Sequence, residues 1–238
     1  MRTETIYAVD SAVREFESAV LAVQEDEVAL ERTAFYPGGG GQPHDLGTLR
    51  AGERTWQVVG MRKDGDLLWH RLQGAEPPEL GEMVTGRVDW ERRYRLMRTH
   101  TALHVLTAVA LRDHGATVTG GNMEPGEGRL DFEIAGFTPA MAEAMIARAN
   151  EEAARDLPVR VYTLPREEAL QLPDLIRTKT NLIPPTVTHI RVVEIEGLDR
   201  QADGGTHVGS TGEIGTILLR GTRSKGASNK RIMIGLDP

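Results

Sequence analysis

The sequence predicts an α+β protein, a small N-terminal β-barrel followed by an α/β two-layer sandwich. Three observations carry this. The first ~90 residues break into short apolar or alternating runs separated by turn signals, the pattern of a small barrel. From Asp89 a helical period takes over, with Met97, Thr101, His104, Val105, Ala108 and Leu111 recurring on one face. Beyond it, helical and strand-like stretches mix as in layered α+β folds. The change of character places a domain boundary near residue 90, dividing 1–89 from 90–238.

In the first part, Val28 to Phe35, Thr55 to Val59, Leu67 to Leu72 and Glu82 to Val88 read as strands. Pro37-Gly38-Gly39-Gly40-Gly41, Ala51-Gly52, Asp64-Gly65 and Gly74 separate them, and Asp64-Gly65 is a hairpin signal. Ser11 to Leu21 admits a helix. In the second part, Asp89 is a natural N-cap and Gly115 a natural stop for a long helix. Thr138-Pro139 starts a second helix, with the cap first and proline at the first helical position. Its apolar face is Met141, Met145, Ala149 and Ala153, and a short third helix follows Pro165. Strands are expected over Arg129–Ala135, Pro158–Thr163, Val187–Glu196, Glu213–Arg220 and Arg231–Leu236.

Composition narrows the function. Lysine and arginine number 28 against 35 acidic residues, a net charge of −7, so any RNA contact must come from a local patch. With no cysteine, a disulfide scaffold, a thiol nucleophile and an all-thiolate zinc site are excluded, and a reducing, cytoplasmic location is expected. The first 20 residues carry Glu4, Asp10, Glu15 and Glu17 and do not read as a signal peptide. The richest apolar stretch, His104 to Leu111, is far shorter than the ~20 residues of a membrane span.

Four constellations can carry chemistry. In His100-Thr101-Ala102-Leu103-His104, two imidazoles at i and i+4 share one helix face, about 5–6 Å apart at Cβ, and can reach one ion. Asp203-Gly204-Gly205-Thr206-His207 sets a carboxylate and an imidazole four residues apart in a glycine-rich turn. Three imidazoles and a carboxylate suit Zn2+. Read alone, Asp203 caps a turn and His207 begins a strand. The third is Phe35 to Pro43, whose glycines lack the Gly-Lys-Ser/Thr of a phosphate-binding loop. It is either a flexible turn or a bare-backbone wall of a small pocket, with Thr33 and Gln42 as polar groups. The fourth, Arg220 to Arg231, holds five cations and no anion. It reads as a phosphate grip or as a solvated loop. Arg92, Arg93, Arg95 and Arg98 form another cationic stretch, at least two of them expected on a solvated helix face.

In this order, these segments resemble the alanyl-tRNA editing proteins (the AlaX family), which look like free-standing copies of the editing domain of alanyl-tRNA synthetase. The matching pieces are Thr33–Pro37, Gly40–Gly47, Arg98–His104, Arg129–Phe132, Gln201–Val208 and Lys225-Gly226 with Asn229–Ile232. The chain length suggests the medium form, a barrel plus a catalytic domain. The resemblance implies a zinc-dependent hydrolase that cleaves the ester between a wrong amino acid, chiefly serine and secondarily glycine, and alanine tRNA. His100, His104 and His207 match the family's histidine ligands. Its fourth ligand is usually a cysteine, and here that position is Asp203, which either binds zinc directly or holds a zinc-bound water. By analogy Thr33 recognises the serine hydroxyl and Gln42 lines the same pocket. The tRNA phosphates would meet Arg223, Lys225, Lys230 and Arg231.

Such an activity has a physical rationale. One small group is worth roughly 1–3 kcal/mol in a pocket, so a site for alanine rejects serine or glycine poorly and a second hydrolytic site is the remedy. No Ser-His-Asp order is evident, so water is the expected nucleophile. Two other readings stay open: a tRNA-binding module with a structural zinc, and a zinc hydrolase of a small ester or amide. His44, His70, His114 and His189 have no i+4 partner and read as surface or core residues, although His44 sits in a matching motif.

Overall fold

Alternation of buried and exposed residues builds the N-terminal part of the chain. The computed structural model describes residues 1–74, 76–173, 175–176, 183–226 and 228–237. It divides into two compact units, Met1–Tyr94 and Arg95–Pro238.

The strands of the first unit are β1 (Glu4–Thr5), β2 (Glu15–Gln24), β3 (Glu27–Leu30), β4 (Arg32–Thr33), β5 (Gly47–Ala51), β6 (Arg54–Asp64), β7 (Leu67–Gly74) and β8 (Met83–Val88). Six of them close into a barrel in the order β2-β3-β7-β6-β5-β8. Inward residues Phe16, Val20, Val28, Leu30, Leu49, Trp56, Val58, Leu72, Val84 and Val88 fill it. The helix admitted over Ser11 to Leu21 is instead β2. Phe16, Ser18 and Val20 are buried between exposed Glu15 and Glu17, a period of two that only a strand satisfies. Asp64 and Leu67 pair across the expected hairpin turn, with Gly65 at φ 57°.

Two polar arrangements lie inside this unit. Arg93 and Asp45 form a fully buried ion pair. Arg93 Nε donates to both Asp45 carboxylate oxygens at 3.0 Å, Nη1 donates to Ser11 O at 2.9 Å and Nη2 to Ala34 O at 2.6 Å. His70, also fully buried, has Nδ1 3.2 Å from Val28 O and Nε2 2.8 Å from the Thr33 hydroxyl.

The second unit is built around one helix, α1 (Trp90–His114), which begins in the last residues of the first unit. Asp89 Oδ1 accepts the Arg92 N–H at 3.2 Å, and Gly115, at φ 60°, ends the helix. Thr99 to Ala110 are all buried, so the helix is enclosed rather than amphipathic. The unit continues with β9 (Thr117–Glu124), β10 (Glu127–Glu133), α2 (Pro139–Ala153), β11 (Val159–Pro165), α3 (Arg166–Ala169), β12 (His189–Ile195), β13 (Asp199–Ala202), β14 (Ile217–Ser224) and β15 (Asn229–Leu236). One antiparallel sheet has the order β14-β15-β10-β9 and a second the order β11-β12-β13. Leu96, Leu103, Leu106 and Val109 of α1 pack with Met145 and Ile146 of α2 against Leu130, Phe132, Ile232 and Ile234 of the four-stranded sheet. Thr138 caps α2, accepting the Met141 N–H at 3.2 Å. Strand β9 was not expected, since Thr117–Glu124 carries no apolar alternation and pairs through its backbone with β10. Among the described residues no helix is long and apolar enough to cross a membrane.

Burial pushes His70 down to about 4, against the opposing hydrogen bonds of Val28 and Leu68 carbonyls. The unfolded chain therefore binds a proton between pH 6.5 and 4 that the folded chain does not. This neutral histidine stabilises the fold fully above pH 6.5 and loses on the order of 2–3 kcal/mol as pH falls toward 4. Urea titrations at pH 7 and 4.5 are expected to show this loss in the native chain and a smaller one in His70→Gln. An equal acid dependence in both would remove His70 as its source.

Candidate metal centre

Four side chains named from the sequence come together in the second unit. His100 and His104 lie one turn apart on α1, and Asp203 and His207 lie on the turn that follows β13. One ligating atom from each falls within 4.8 Å of all the others. Asp203 Oδ1 is 3.4 Å from His100 Nε2 and 3.9 Å from His104 Nε2, and Oδ2 is 3.4 Å from His207 Nε2. The His100 and His207 rings stack with centroids 4.3 Å apart, and His104 meets His207 edge-on at 4.6 Å. All three histidines are buried.

The turn is built to aim the carboxylate. Gly205 N–H donates to Asp203 Oδ2 at 2.5 Å, an Asx-type contact between residues two apart. Arg191 on β12 donates to the Asp203 carbonyl at 2.9 Å and brings a second nitrogen–oxygen approach of 3.9 Å to Oδ2. These contacts occupy Oδ2 and leave Oδ1 facing the two α1 histidines. Around the cluster, Asp199 Oδ2 lies 3.2 Å from His104 Nδ1, and the Thr101 hydroxyl lies 3.1 Å from His207 Nδ1.

The electrostatics are those of a compensated buried cluster. Burial resists the charge of Asp203, but the positive field and hydrogen bond of His100, with hydrogen bonds from His104 and His207, hold its carboxyl well below the usual range. Burial also resists the His104 cation, yet Asp199 and Asp203 outweigh it and raise that group to about 9. His207 is pushed well below its ordinary value by burial and by the other two histidines. A buried neutral imidazole facing a carboxylate, beside two more imidazoles, is a donor set that fits a divalent N/O-binding ion such as zinc.

Thr33 and Gln42 belong to the first unit, and both are buried. The Thr33 hydroxyl lies 2.8 Å from His70 and accepts the Phe35 N–H at 3.1 Å. The glycine-rich segment is not a loose turn. Gly38, Gly39, Gly40 and Gly41 all have positive φ, which side-chain-bearing residues rarely adopt. Gly39 and Gln42 exchange backbone hydrogen bonds, the Tyr36 hydroxyl donates to Gly39 O at 3.0 Å, and Asp45 accepts the Tyr36 N–H at 2.6 Å. His44 Nδ1 is 2.8 Å from Asp45 O.

The four cations assigned to phosphate gather near the end of the β14–β15 hairpin, where Arg223 pairs with Arg231 and Ser224 with Lys230. Ala227, within the basic run, lies outside the described residues. The run has no anion of its own, but β10 supplies one. Buried Asp131 accepts Arg231 Nε at 2.6 Å and Nη2 at 2.9 Å, and Lys225 Nζ at 2.9 Å. Arg231 is the main cause holding Asp131 down to about 2. Lys230 donates to Ser224 Oγ and Gly226 O at 2.8 Å, and Arg223 is exposed. Of the cations at the head of α1, Arg93 is in its buried ion pair and Arg98 donates to Ile214 O and Asp237 O, whereas Arg95 is exposed.

Sequence reading missed Asp199, Thr101, Arg191, Asp131 and the part played by His70. Thr101 lies inside the histidine pair and Asp199 four residues before Asp203, but neither has a spacing of its own to mark it.

Comparison with known proteins agrees with this geometry. Residues 2–92 match the family described as tRNA synthetases class II (A), and residues 190–233 match the threonyl and alanyl tRNA synthetase second additional domain. The alanyl-tRNA editing protein AlaX-M of Saccharolobus solfataricus is 40% identical over 238 residues, 99% of this chain and 100% of that protein. AlaX-M of Methanosarcina mazei is 37% identical, with 98% of this chain and 96% of that protein covered. The alanine–tRNA ligase of Korarchaeum cryptofilum is 40% identical over 91% of this chain but only 24% of its own length. The chain belongs to the AlaX-M family of alanyl-tRNA editing proteins.

Proposed function

We propose that this protein is a zinc-dependent deacylase that hydrolyses the ester of mischarged alanine tRNA, seryl-tRNA chiefly and glycyl-tRNA secondarily. The observation that carries the reading is the buried cluster of His100, His104, Asp203 and His207, in a chain of the alanyl-tRNA editing family. The three imidazoles supply nitrogen donors and Asp203 supplies the charge, binding directly through Oδ1 because Oδ2 is taken by the Gly205 N–H. Bound there, zinc supplies a Lewis acid for ester hydrolysis. Asp203 and Arg191 orient one another beside the cluster, and water is the attacking nucleophile.

Metal analysis of the purified protein should find about one zinc per chain, and a deacylation assay should show seryl-tRNA hydrolysed well ahead of alanyl-tRNA. His104→Ala is expected to lose both zinc and more than about 100-fold of the activity. Full zinc with no deacylation of any substrate would favour a binding module with a structural metal instead.

We assign amino-acid recognition to Thr33 and Gln42 as a separate proposal, supported by the family pattern. With its hydrogen on His70 and one lone pair on the Phe35 N–H, Thr33 keeps one lone pair to accept from a serine hydroxyl. Alanine would leave that acceptor unpaired. Thr33→Val should erode discrimination between seryl- and alanyl-tRNA more than turnover. Equal loss on both substrates would leave Thr33 as a barrel contact only.

We assign phosphate binding to Arg223, Lys225, Lys230 and Arg231. Arg223 and Lys230 are free of Asp131, so their joint replacement by glutamine tests binding without uncovering a buried carboxylate. The log–log salt slope of tRNA affinity is expected to flatten by about 1 to 2. An unchanged slope would exclude the hairpin from the RNA contact.

A further inference from the structure

The cations of the basic run are Arg220, Arg223, Lys225, Lys230 and Arg231, and all but Arg220 are assigned to phosphate above. Arg220 sits at a break in strand pairing. Leu219 pairs with Ile234 and Gly221 with Met233, so Arg220 is the extra residue of a β-bulge. Its strand, β14, is an edge of the four-stranded sheet.

The bulge decides which way the arginines face. In an unbroken strand, residues three apart lie on opposite faces. On β15, Ile232, Ile234 and Leu236 belong to the core, so Arg231, Met233 and Gly235 line the outer face. Arg223 pairs with Arg231 and shares that face. Arg220 lies across Gly235, where a Cβ would collide with its Nε. The extra residue therefore brings Arg220 and Arg223 to one side of the sheet, and Gly235 leaves room for the Arg220 side chain to lie down on it.

Both arginines are exposed, and neither guanidinium has a hydrogen-bond or ion-pair partner among the described residues. The acid opposite Gly235 is Glu127 on β10, and it makes no ion pair with Arg220. Arg231, by contrast, is held by Asp131. A guanidinium presents a planar fork of donors that matches phosphate oxygens, and two of them on one strand face suit a polyanion.

We propose that Arg220 is a further contact to the phosphodiester backbone of tRNA, set beside Arg223 by the β14 bulge. The inference rests on the phosphate reading of the hairpin and extends that surface from the hairpin tip down the edge strand. The same features have a competing use, because bulges and charged side chains on an edge strand deter pairing with another chain.

The experiment separates the two uses. Labelled alanine tRNA is titrated with the full chain at several salt concentrations, and sedimentation of each variant reads self-association. Arg220→Gln is expected to weaken binding by about 3- to 10-fold and to flatten the log–log salt slope by about 1. Arg220→Lys, which keeps the charge, should restore the slope. Arg148→Gln, at an exposed position of α2, removes one positive charge elsewhere and should keep the native slope. A native slope in Arg220→Gln would overturn the proposal, and self-association of that variant at a native slope would assign the arginine to guarding the edge. The joint replacement of Arg223 and Lys230 is measured alongside. If it flattens the slope and Arg220→Gln does not, the hairpin reading stands and its extension fails. If neither does, both fail.

Discussion

Everything in the second unit answers to one constraint: four ionisable side chains are packed into a space where their ligating atoms lie within 4.8 Å. Buried polar groups are costly unless each has a partner, and a partly satisfied network is worse than an apolar core. Here protein groups surround the cluster on its outer side. Gly205 N–H and Arg191 attend Asp203, Thr101 attends His207 and Asp199 attends His104. On the inner side each imidazole Nε2 faces an Asp203 carboxylate oxygen, at 3.4 to 3.9 Å. One ligating atom from each of three imidazoles and a carboxylate converges on a common centre, a donor set that could hold a cation. The enclosure of α1 follows from this. Its apolar side packs on α2 and the four-stranded sheet, while its polar side carries Thr101, His100 and His104 toward the 203–208 turn.

The barrel buries polar groups by the opposite logic. Arg93 spends its guanidinium on Asp45 and on the carbonyls of Ser11 and Ala34, and Asp45 takes the Tyr36 N–H as well. The pair closes on itself. Buried pairs of this kind are weak evidence for net stability, but removal of either partner strands a charge, so they hold chain segments in one arrangement. The segment held here is the one that runs from Ala34 through four positive-φ glycines to Asp45. His70 and Thr33 also satisfy each other inside the barrel.

The parts of this fold legible in the sequence were those written in local periodicity and punctuation. Asp64-Gly65, Thr138-Pro139 and the Asp89 to Gly115 helix each announce themselves within a few residues, and each stands where expected. Ser11 to Leu21 misleads because its alternation is partly hidden: Ser18 is buried at a position where an apolar residue would have shown a strand, and its hydroxyl accepts the Arg32 N–H. Strand β9 escapes because its two buried side chains, Val118 and Met123, are five residues apart with two glycines between them, which breaks the alternation. The four clustered side chains were legible because i, i+4 spacing on a helix and on a turn is a local signal. Their supports were not, because Thr101, Asp199 and Arg191 are made relevant only by tertiary placement.

The same limit explains the basic run. Counted along the chain, Arg220 to Arg231 is uncompensated; counted across the sheet, it is not. Strand β10 delivers Asp131 opposite Arg231, and Arg231 stands opposite Arg223, so an antiparallel register places one anion beside a pair of like charges. Directly opposed like charges in a sheet repel, and a carboxylate on the next strand relieves that repulsion. Asp131 is thereby held ionised, down to about 2, and takes both Arg231 and Lys225 as hydrogen-bond donors. The hairpin thus divides its cations between two tasks. Arg231 and Lys225 meet at Asp131, Lys230 is tied to Ser224 and Gly226, and Arg223 is exposed. A phosphate approaching this end would meet Lys225, Lys230 and Arg231 already held in place, with less side-chain freedom to lose than on a solvated loop.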